Sequence, residues 1–409
     1  MSRRIYVLGG YQSDFARNWK RDQSSLADEF SNTVRAGLES ARLDAADIEV
    51  GHVGNFVGEL FAGQGQLGGF FGSVDPALRY LPASRHEAAC ASGSMALLAA
   101  MADLEAGRYG VAAVVGIEVM RNVEGQQAAE FLRPACRVDS EWQEARYVWP
   151  CAFSELVELY ESRYGLQQSV LREISRKNFG NARNNPNAQA RGWHFPEGSF
   201  TDNDDLNPAV EGRIRKLDCG QISDGAAVVF LATEARAAEY ARARGLRLED
   251  IPHIKGWGHI NAPIGFADKL ALSEPEGYLF PHVNRLFRET LARAGMHDIR
   301  EVDGLEVHDC FNITEYMILD HAGLLPPGRV HEAIEAGVTR MGGSLPVNAS
   351  GGLIGLGHPV GATGVRMLLD GYRQVSGQAG DYQIAGARNL MTFNLGGSAT
   401  TCASFIVGR

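Results

Sequence analysis

Two short runs, Val111-Ala-Ala-Val-Val-Gly116 and Ala226-Ala-Val-Val-Phe-Leu231, carry no polar side chain at any position. A strand with one wet face alternates apolar and polar residues, because successive side chains point to opposite sides of the sheet. Runs without alternation belong to strands covered on both faces, the setting that helices on either side of a sheet provide. The 48 glycines punctuate such runs and the helical patterns between them, so the chain reads as α/β with a mainly parallel or mixed sheet. At 409 residues it exceeds the size at which one hydrophobic core stops growing, and about two domains are expected.

Between about Met120 and Asp218 the texture turns polar and rich in Arg and Asn, as in Asn178-Phe-Gly-Asn-Ala-Arg-Asn-Asn-Pro186. An excursion of that length from a compact core is expected to form a lid or binding loop. Core patterning returns at Cys219-Gly-Gln-Ile-Ser-Asp224. A weak internal repeat also runs through the chain. Ala91-Ser92-Gly93 followed by Leu97-Leu98 matches Ala362-Thr363-Gly364 followed by Leu368-Leu369 at a constant offset. Each copy opens a helix with a buried strand beyond it, which implies two similar halves. Residues 1–119 with 219–250 would form the first half and 251–409 the second, with 120–218 inserted.

Composition removes several functions. With 45% hydrophobic and 22% charged residues the chain is neither disordered nor fibrous. A net charge of −10 offers no basic footprint for nucleic acid. No apolar stretch reaches the roughly 20 residues that span a bilayer. The cysteines at 90, 136, 151, 219, 310 and 402 form neither a disulfide framework nor a zinc-spaced pair, so no metal and a reducing, cytoplasmic setting are expected. Met1-Ser2-Arg3-Arg4 leads directly into strand-like Ile5-Tyr6-Val7-Leu8, which leaves no room for an apolar signal region.

Four constellations could do chemistry. Cys90, in Glu87-Ala-Ala-Cys-Ala-Ser-Gly-Ser94, precedes a helical run; free N–H groups and the helix dipole there favour a thiolate and can hold an oxyanion. By residue type alone a free cysteine is most often core, but its small neighbours leave space for a ligand. His358 lies in Asn348-Ala-Ser-Gly-Gly-Leu-Ile-Gly-Leu-Gly-His-Pro-Val-Gly-Ala-Thr-Gly364, placed to serve as a base. This stretch matches neither phosphate-loop pattern, and a plain structural turn is the alternative. His308 and Cys310, in Glu306-Val-His-Asp-Cys-Phe311, stand at the carboxyl end of a strand, where α/β proteins bind ligands. Asn394-Leu-Gly-Gly397 closes the chain as a turn whose N–H groups could complete an oxyanion site.

These four pieces, in this order and over nearly the whole chain, resemble the thiolase superfamily, and most of all its sterol-carrier-protein-2 type. Asn184-Asn-Pro186 and Ser223-Asp-Gly-Ala-Ala227 belong to the same likeness. The resemblance implies two βαβαβαββ halves in a five-layer αβαβα core with an inserted loop domain. It implies that Cys90 attacks an acyl-CoA thioester, with His358 as its base. The backbone N–H groups of Cys90 and Gly396 would form one oxyanion hole, and His358 with His308 the other. Many thiolases carry an acid/base cysteine where this chain has Asn394, and in the sterol-carrier type Cys310 would take that work. Cys136, Cys151, Cys219 and Cys402 match no motif and are expected in the core.

The implied reaction cleaves 3-ketoacyl-CoA with CoA to acyl-CoA and acetyl-CoA, or runs the reverse condensation. Coenzyme A would be a substrate, with no permanently bound cofactor. A homodimer or homotetramer is implied. Relatives also include an acyltransferase or retro-aldolase that works with an OB-fold and zinc-ribbon partner. A non-catalytic acyl-CoA or lipid-binding protein is the alternative of another class, and it would need none of these thiols.

Overall fold

The computed structural model describes residues 4–273 and 277–409. Met1, Ser2 and Arg3 of the expected N-terminal lead, and 274–276 of the expected second half, lie outside them. Eleven strands are described: β1 (Ile5–Gln12), β2 (Val50–Gly54), β3 (Ala83–His86), β4 (Val111–Glu118), β5 (Ala209–Glu211), β6 (Ile214–Arg215), β7 (Gly225–Thr233), β8 (His253–Asn261), β9 (Gly304–Val307), β10 (Asn389–Gly396) and β11 (Thr401–Gly408). Nine of them form one sheet in the order β3-β2-β4-β7-β1-β8-β11-β10-β9.

The internal repeat is a repeat of topology. In the first half β2 pairs in parallel with β3 and β4, and β7 runs antiparallel to β4 and β1. In the second half β9 pairs in parallel with β10, and β11 runs antiparallel to β10 and β8. A lone parallel bridge from Leu305 to Val347 stands where β3 stands in the first half. The halves meet through a short antiparallel pairing of β1 with β8. The all-apolar runs are β4 and β7, buried almost throughout, but they pair antiparallel. The sheet is therefore mixed rather than mainly parallel, because apolarity on both faces reports helices above and below and carries no information about strand direction.

Five layers result. The Leu26–Ala41 and Glu234–Ala243 helices cover the outer face of β1 and β7, and Pro281–Arg293 covers β8 and β11. Between the half-sheets lie two core helices, Ser92–Glu105 and Val360–Ser376, in contact with each other and with strands of both halves. The repeated glycines make this close crossing possible. A Cβ on Gly93 would lie 2.7 Å from the Gly361 carbonyl oxygen, and one on Gly364 would collide with the backbone N of Ser94. Both core helices begin at this crossing, so their N-termini are brought together at one point.

The excursion is helical rather than looped, with Gly125–Leu132, Val148–Tyr164 and Gln168–Ala182 beside the small β5–β6 hairpin. Asn178, Asn181 and Asn185 face inward. Asn178 donates to Asp309 and Glu315, Asn181 to the Asn348 carbonyl and Asn185 to the Ser350 carbonyl. Lys177 and Glu315 form a buried ion pair at 2.6 Å in the same seam. Polarity that reads as solvent exposure in the sequence thus docks the excursion onto the glycine-rich segment before His358. Among the described residues no helix is long and apolar enough to cross a membrane.

Candidate active site

Cys90 sits on a strained turn. Ala89 holds φ +51°, a conformation costly for a residue with a Cβ. The turn is fastened by Ser92, whose Oγ accepts from Ala88 N at 2.9 Å and donates to the Ala89 carbonyl at 2.6 Å. A 3₁₀ turn over Ala89–Ala91 then leads into the first core helix.

His358 is fixed from two directions. Its backbone N–H donates to Ser223 Oγ at 3.0 Å, and Ser223 in turn donates to Gln189. Its ring Nδ1 lies 2.7 Å from Thr363 Oγ1, whose own proton goes to the Pro359 carbonyl. With that hydroxyl proton on the Pro359 carbonyl, Nδ1 donates to Oγ1 and His358 carries its free lone pair on Nε2. Buried Nε2 has no hydrogen-bond partner among the described residues.

His308 leaves the end of β9 fully buried. Its ring meets that of His358 edge to face, with centroids 5.0 Å apart. Cys90, His308 and His358 each offer an atom lying within 4.8 Å of the others, a grouping of donor types that zinc accepts. Three adjacent residues diverge here. His308 turns to the cluster, while Asp309 points away to accept from Leu353 N and Ile354 N. Cys310 lines the cavity in front of Cys90 and sits 3.8 Å from Thr314 Oγ1.

That cavity, about 300 Å³, ends at Cys90, Cys310 and His358. Its walls are mostly apolar, from Phe56, Met120, Leu132, Trp149, Phe153 and Phe311, with Lys216 and Gln221 as polar members. The excursion supplies much of this lining, from Gly125 to Lys216. Cys219, expected in the core, lines the cavity as well, because its bridge to Phe311 draws residues 219–222 alongside Cys310. Cys136 and Cys402 are buried, and Cys151 is half-buried on its helix.

The electrostatics differ from the thiolate expected at a helix start. Burial pushes the Cys90 thiol up to about 12, only partly opposed by the backbone N–H of Gly397, while Glu118 adds to the rise. Burial and the nearby Arg366 charge push His358 down to about 3. Burial, His358 and Arg366 hold His308 well below the ordinary imidazole range. Burial and the neighbouring Cys90 raise Cys310. The resting site is therefore a neutral thiol beside two neutral imidazoles. The N–H groups that act on the Cys90 sulfur are those of Gly397, which also lines the cavity, and of Cys90 itself, while Gly396 packs its Cα against the Ala88 carbonyl.

Two contributors escaped the sequence reading. Glu118 ends β4 fully buried, and its carboxylate accepts from Asn55 Nδ2, Phe56 N, Val57 N and Gly361 N at the start of the second core helix. An acid closing the apolar run Val114-Val-Gly-Ile-Glu118 was the available signal. Arg366, also fully buried, pairs with Glu306 at 2.9 Å and Asp370 at 3.0 Å behind the histidines.

The family described as "Thiolase C-terminal domain-like" matches residues 267–409. The acetyl-CoA acetyltransferase of Methanothermobacter thermautotrophicus is 31% identical over 409 residues, covering all of both chains. The chain belongs to the thiolase superfamily. Human sterol carrier protein 2 is 26% identical over 415 residues, covering 99% of this chain and 72% of that protein. Among solved structures, an Ltp2-ChsH2(DUF35) aldolase matches with a TM-score of 0.79 at 17% identity, covering 99% of this chain and 98% of that one. Human mitochondrial 3-ketoacyl-CoA thiolase matches with a TM-score of 0.70 at 13% identity, covering 100% and 99%. The fold is that of a thiolase, and the protein is an enzyme of the acyltransferase class. The starts of the two core helices bring Cys90 and His358 together.

Proposed function

We propose that this thiolase moves acyl groups between coenzyme A thioesters through a covalent acyl-Cys90 intermediate. The observation that carries the reading is the convergence of Cys90 and His358 at the end of an apolar cavity, with His308 clustered beside them and His358 Nε2 unpartnered among the described residues. His358 Nε2 takes the thiol proton as sulfur attacks the thioester carbonyl, because a neutral thiol is a weak nucleophile without a base. The carbonyl oxygen becomes an oxyanion held by backbone N–H groups at Cys90 and the Gly396–Gly397 turn. CoA leaves, and the acyl group remains on sulfur.

In condensation an acetyl-CoA enolate then attacks the acyl-Cys90 carbonyl and displaces the sulfur to make 3-ketoacyl-CoA; in cleavage Cys90 instead attacks the 3-keto carbonyl, the carbon–carbon bond breaks to release acetyl-CoA, and CoA thiolate takes the acyl group from sulfur. The enolate oxygen is steadied by His308 and by His358 once its Nε2 holds the proton taken from Cys90, and Cys310 exchanges the proton that Asn394 cannot carry. The acetyl-CoA acetyltransferase relatives support CoA thioesters as substrates. Intact-mass measurement after incubation with acetyl-CoA tests the intermediate. The expected result is one acetyl adduct in wild type and in Cys310→Ala, and none in Cys90→Ala. An undiminished adduct in Cys90→Ala refutes the mechanism, and full turnover of 3-ketoacyl-CoA by Cys310→Ala refutes the role of Cys310.

The likeness to an aldolase that assembles with a DUF35 protein favours a second reading, carbon–carbon cleavage with a partner chain. That reaction does not require acylation of Cys90, so the same adduct measurement separates the two.

A further inference from the structure

Asn394 stands where many thiolases carry an acid/base cysteine, and its amide can exchange no proton with substrate. It is buried, and its amide spans two groups. Ser94 Oγ donates to Oδ1 at 2.8 Å, and Nδ2 donates to His308 Nδ1 at 3.0 Å. An amide nitrogen has no lone pair to offer, so His308 Nδ1 accepts. A neutral imidazole that accepts at one nitrogen carries its proton on the other. That other nitrogen, Nε2, is buried without a partner among the described residues, and His308 belongs to the cluster with Cys90 and His358.

The orientation of the amide is set from its far side as well. Reversing it would turn Oδ1 toward His308 and leave the proton of buried Ser94 without an acceptor, since Asn394 is its hydrogen-bond partner. We propose that Asn394 is a positioning residue that holds His308 as the Nε2–H tautomer, so that His308 brings a hydrogen-bond donor, and not a metal ligand, to the cluster.

The two histidines then differ in polarity where they meet the site. His358 Nε2 presents a lone pair and His308 Nε2 a proton, so one can take a proton while the other stabilises negative charge. The same assignment disfavours a metal between a thiol and two imidazoles that lie within 4.8 Å of one another. A metal needs a lone pair from each ring, and the proton on His308 Nε2 withdraws one. The catalytic consequence rests on the acyl-transfer reading; the tautomer does not.

The test is two-bond ¹H–¹⁵N correlation of wild-type protein labelled with ¹⁵N-histidine at pH 7, with His308→Gln used for assignment. A protonated Nε2 and a bare Nδ1 on His308 are expected, and a protonated Nδ1 overturns the proposal. Asn394→Asp supplies an independent readout. A carboxylate can only accept, so His308 is forced to carry its proton on Nδ1 and Nε2 is freed as a ligand, with the carboxylate–histidine pairing that favours metals. Titration with Co²⁺ is expected to show about tenfold or greater tightening over wild type, with a thiolate-to-cobalt absorption band; unchanged affinity in the folded variant overturns the proposal. If Asn394→Asp does not fold, the wild-type correlation decides. A missing acyl-Cys90 adduct would refute the acyl-transfer reading and leave the tautomer result intact.

Discussion

Replacing Thr363 by Val isolates the contribution of one hydrogen bond to the base. Thr363 is buried, and valine keeps its shape while removing the hydroxyl that accepts from His358 Nδ1 at 2.7 Å. The Pro359 carbonyl, which also loses that hydroxyl, still accepts from Ala362 N and Thr363 N, so the loss falls on the imidazole. His358 must then either bury an unpaired N–H or move its proton to Nε2, where it can no longer act as base. An unpaired buried donor costs about 1–3 kcal/mol, equivalent to about 5- to 150-fold in rate. The rate of Cys90 acylation, followed by quenched mass spectrometry with acetyl-CoA, should fall about 10- to 100-fold. The thermal midpoint should move by no more than a few degrees. An acylation rate within about twofold of wild type in a folded variant would refute the claim that Thr363 sets the tautomer of the base.

Three further outcomes follow from the same geometry. Because burial and Arg366 hold His358 down at about 3, the free enzyme keeps its base unprotonated through the physiological range. The kcat/KM profile should therefore be flat between about pH 5 and 8, and an acid limb near 6.5 would contradict the neutral pair. Glu118 is pushed up by burial from 4.5 to about 7, so within that window the folded state keeps a proton that the unfolded chain has released, and stability falls as pH rises. Denaturant unfolding of Glu118→Gln should lose that slope, worth about 3 kcal/mol across the window; an unchanged slope would assign the pH dependence elsewhere. Gly364→Ala should destabilise by about 1–3 kcal/mol or more, read as a lower urea midpoint, because its Cβ meets the backbone N of Ser94, which cannot yield as the neighbouring Ser94 Oγ could.

The sequence by itself determined what depends on local order. Apolar runs without alternation demanded a doubly covered sheet, the repeated Gly93 and Gly364 marked the paired helices that cross, and the motifs around Cys90, His308, Cys310 and His358 named the reactive groups. Tertiary structure alone decided what depends on groups remote in sequence. Strand direction in β4 and β7 comes from their partners, and the inward asparagines of the excursion look like surface until they meet Asp309, Glu315 and the Asn348–Ser350 backbone. Cys219 reads as core until its pairing with Phe311 turns it to the cavity. The protonation of the site also belongs to tertiary structure. The start of a helix favours a thiolate at Cys90, but burial among both halves and the carboxylate of Glu118 outweigh it. Only the fold reveals a neutral thiol and two neutral imidazoles, because desolvation is a property of everything packed around a group and not of its neighbours along the chain.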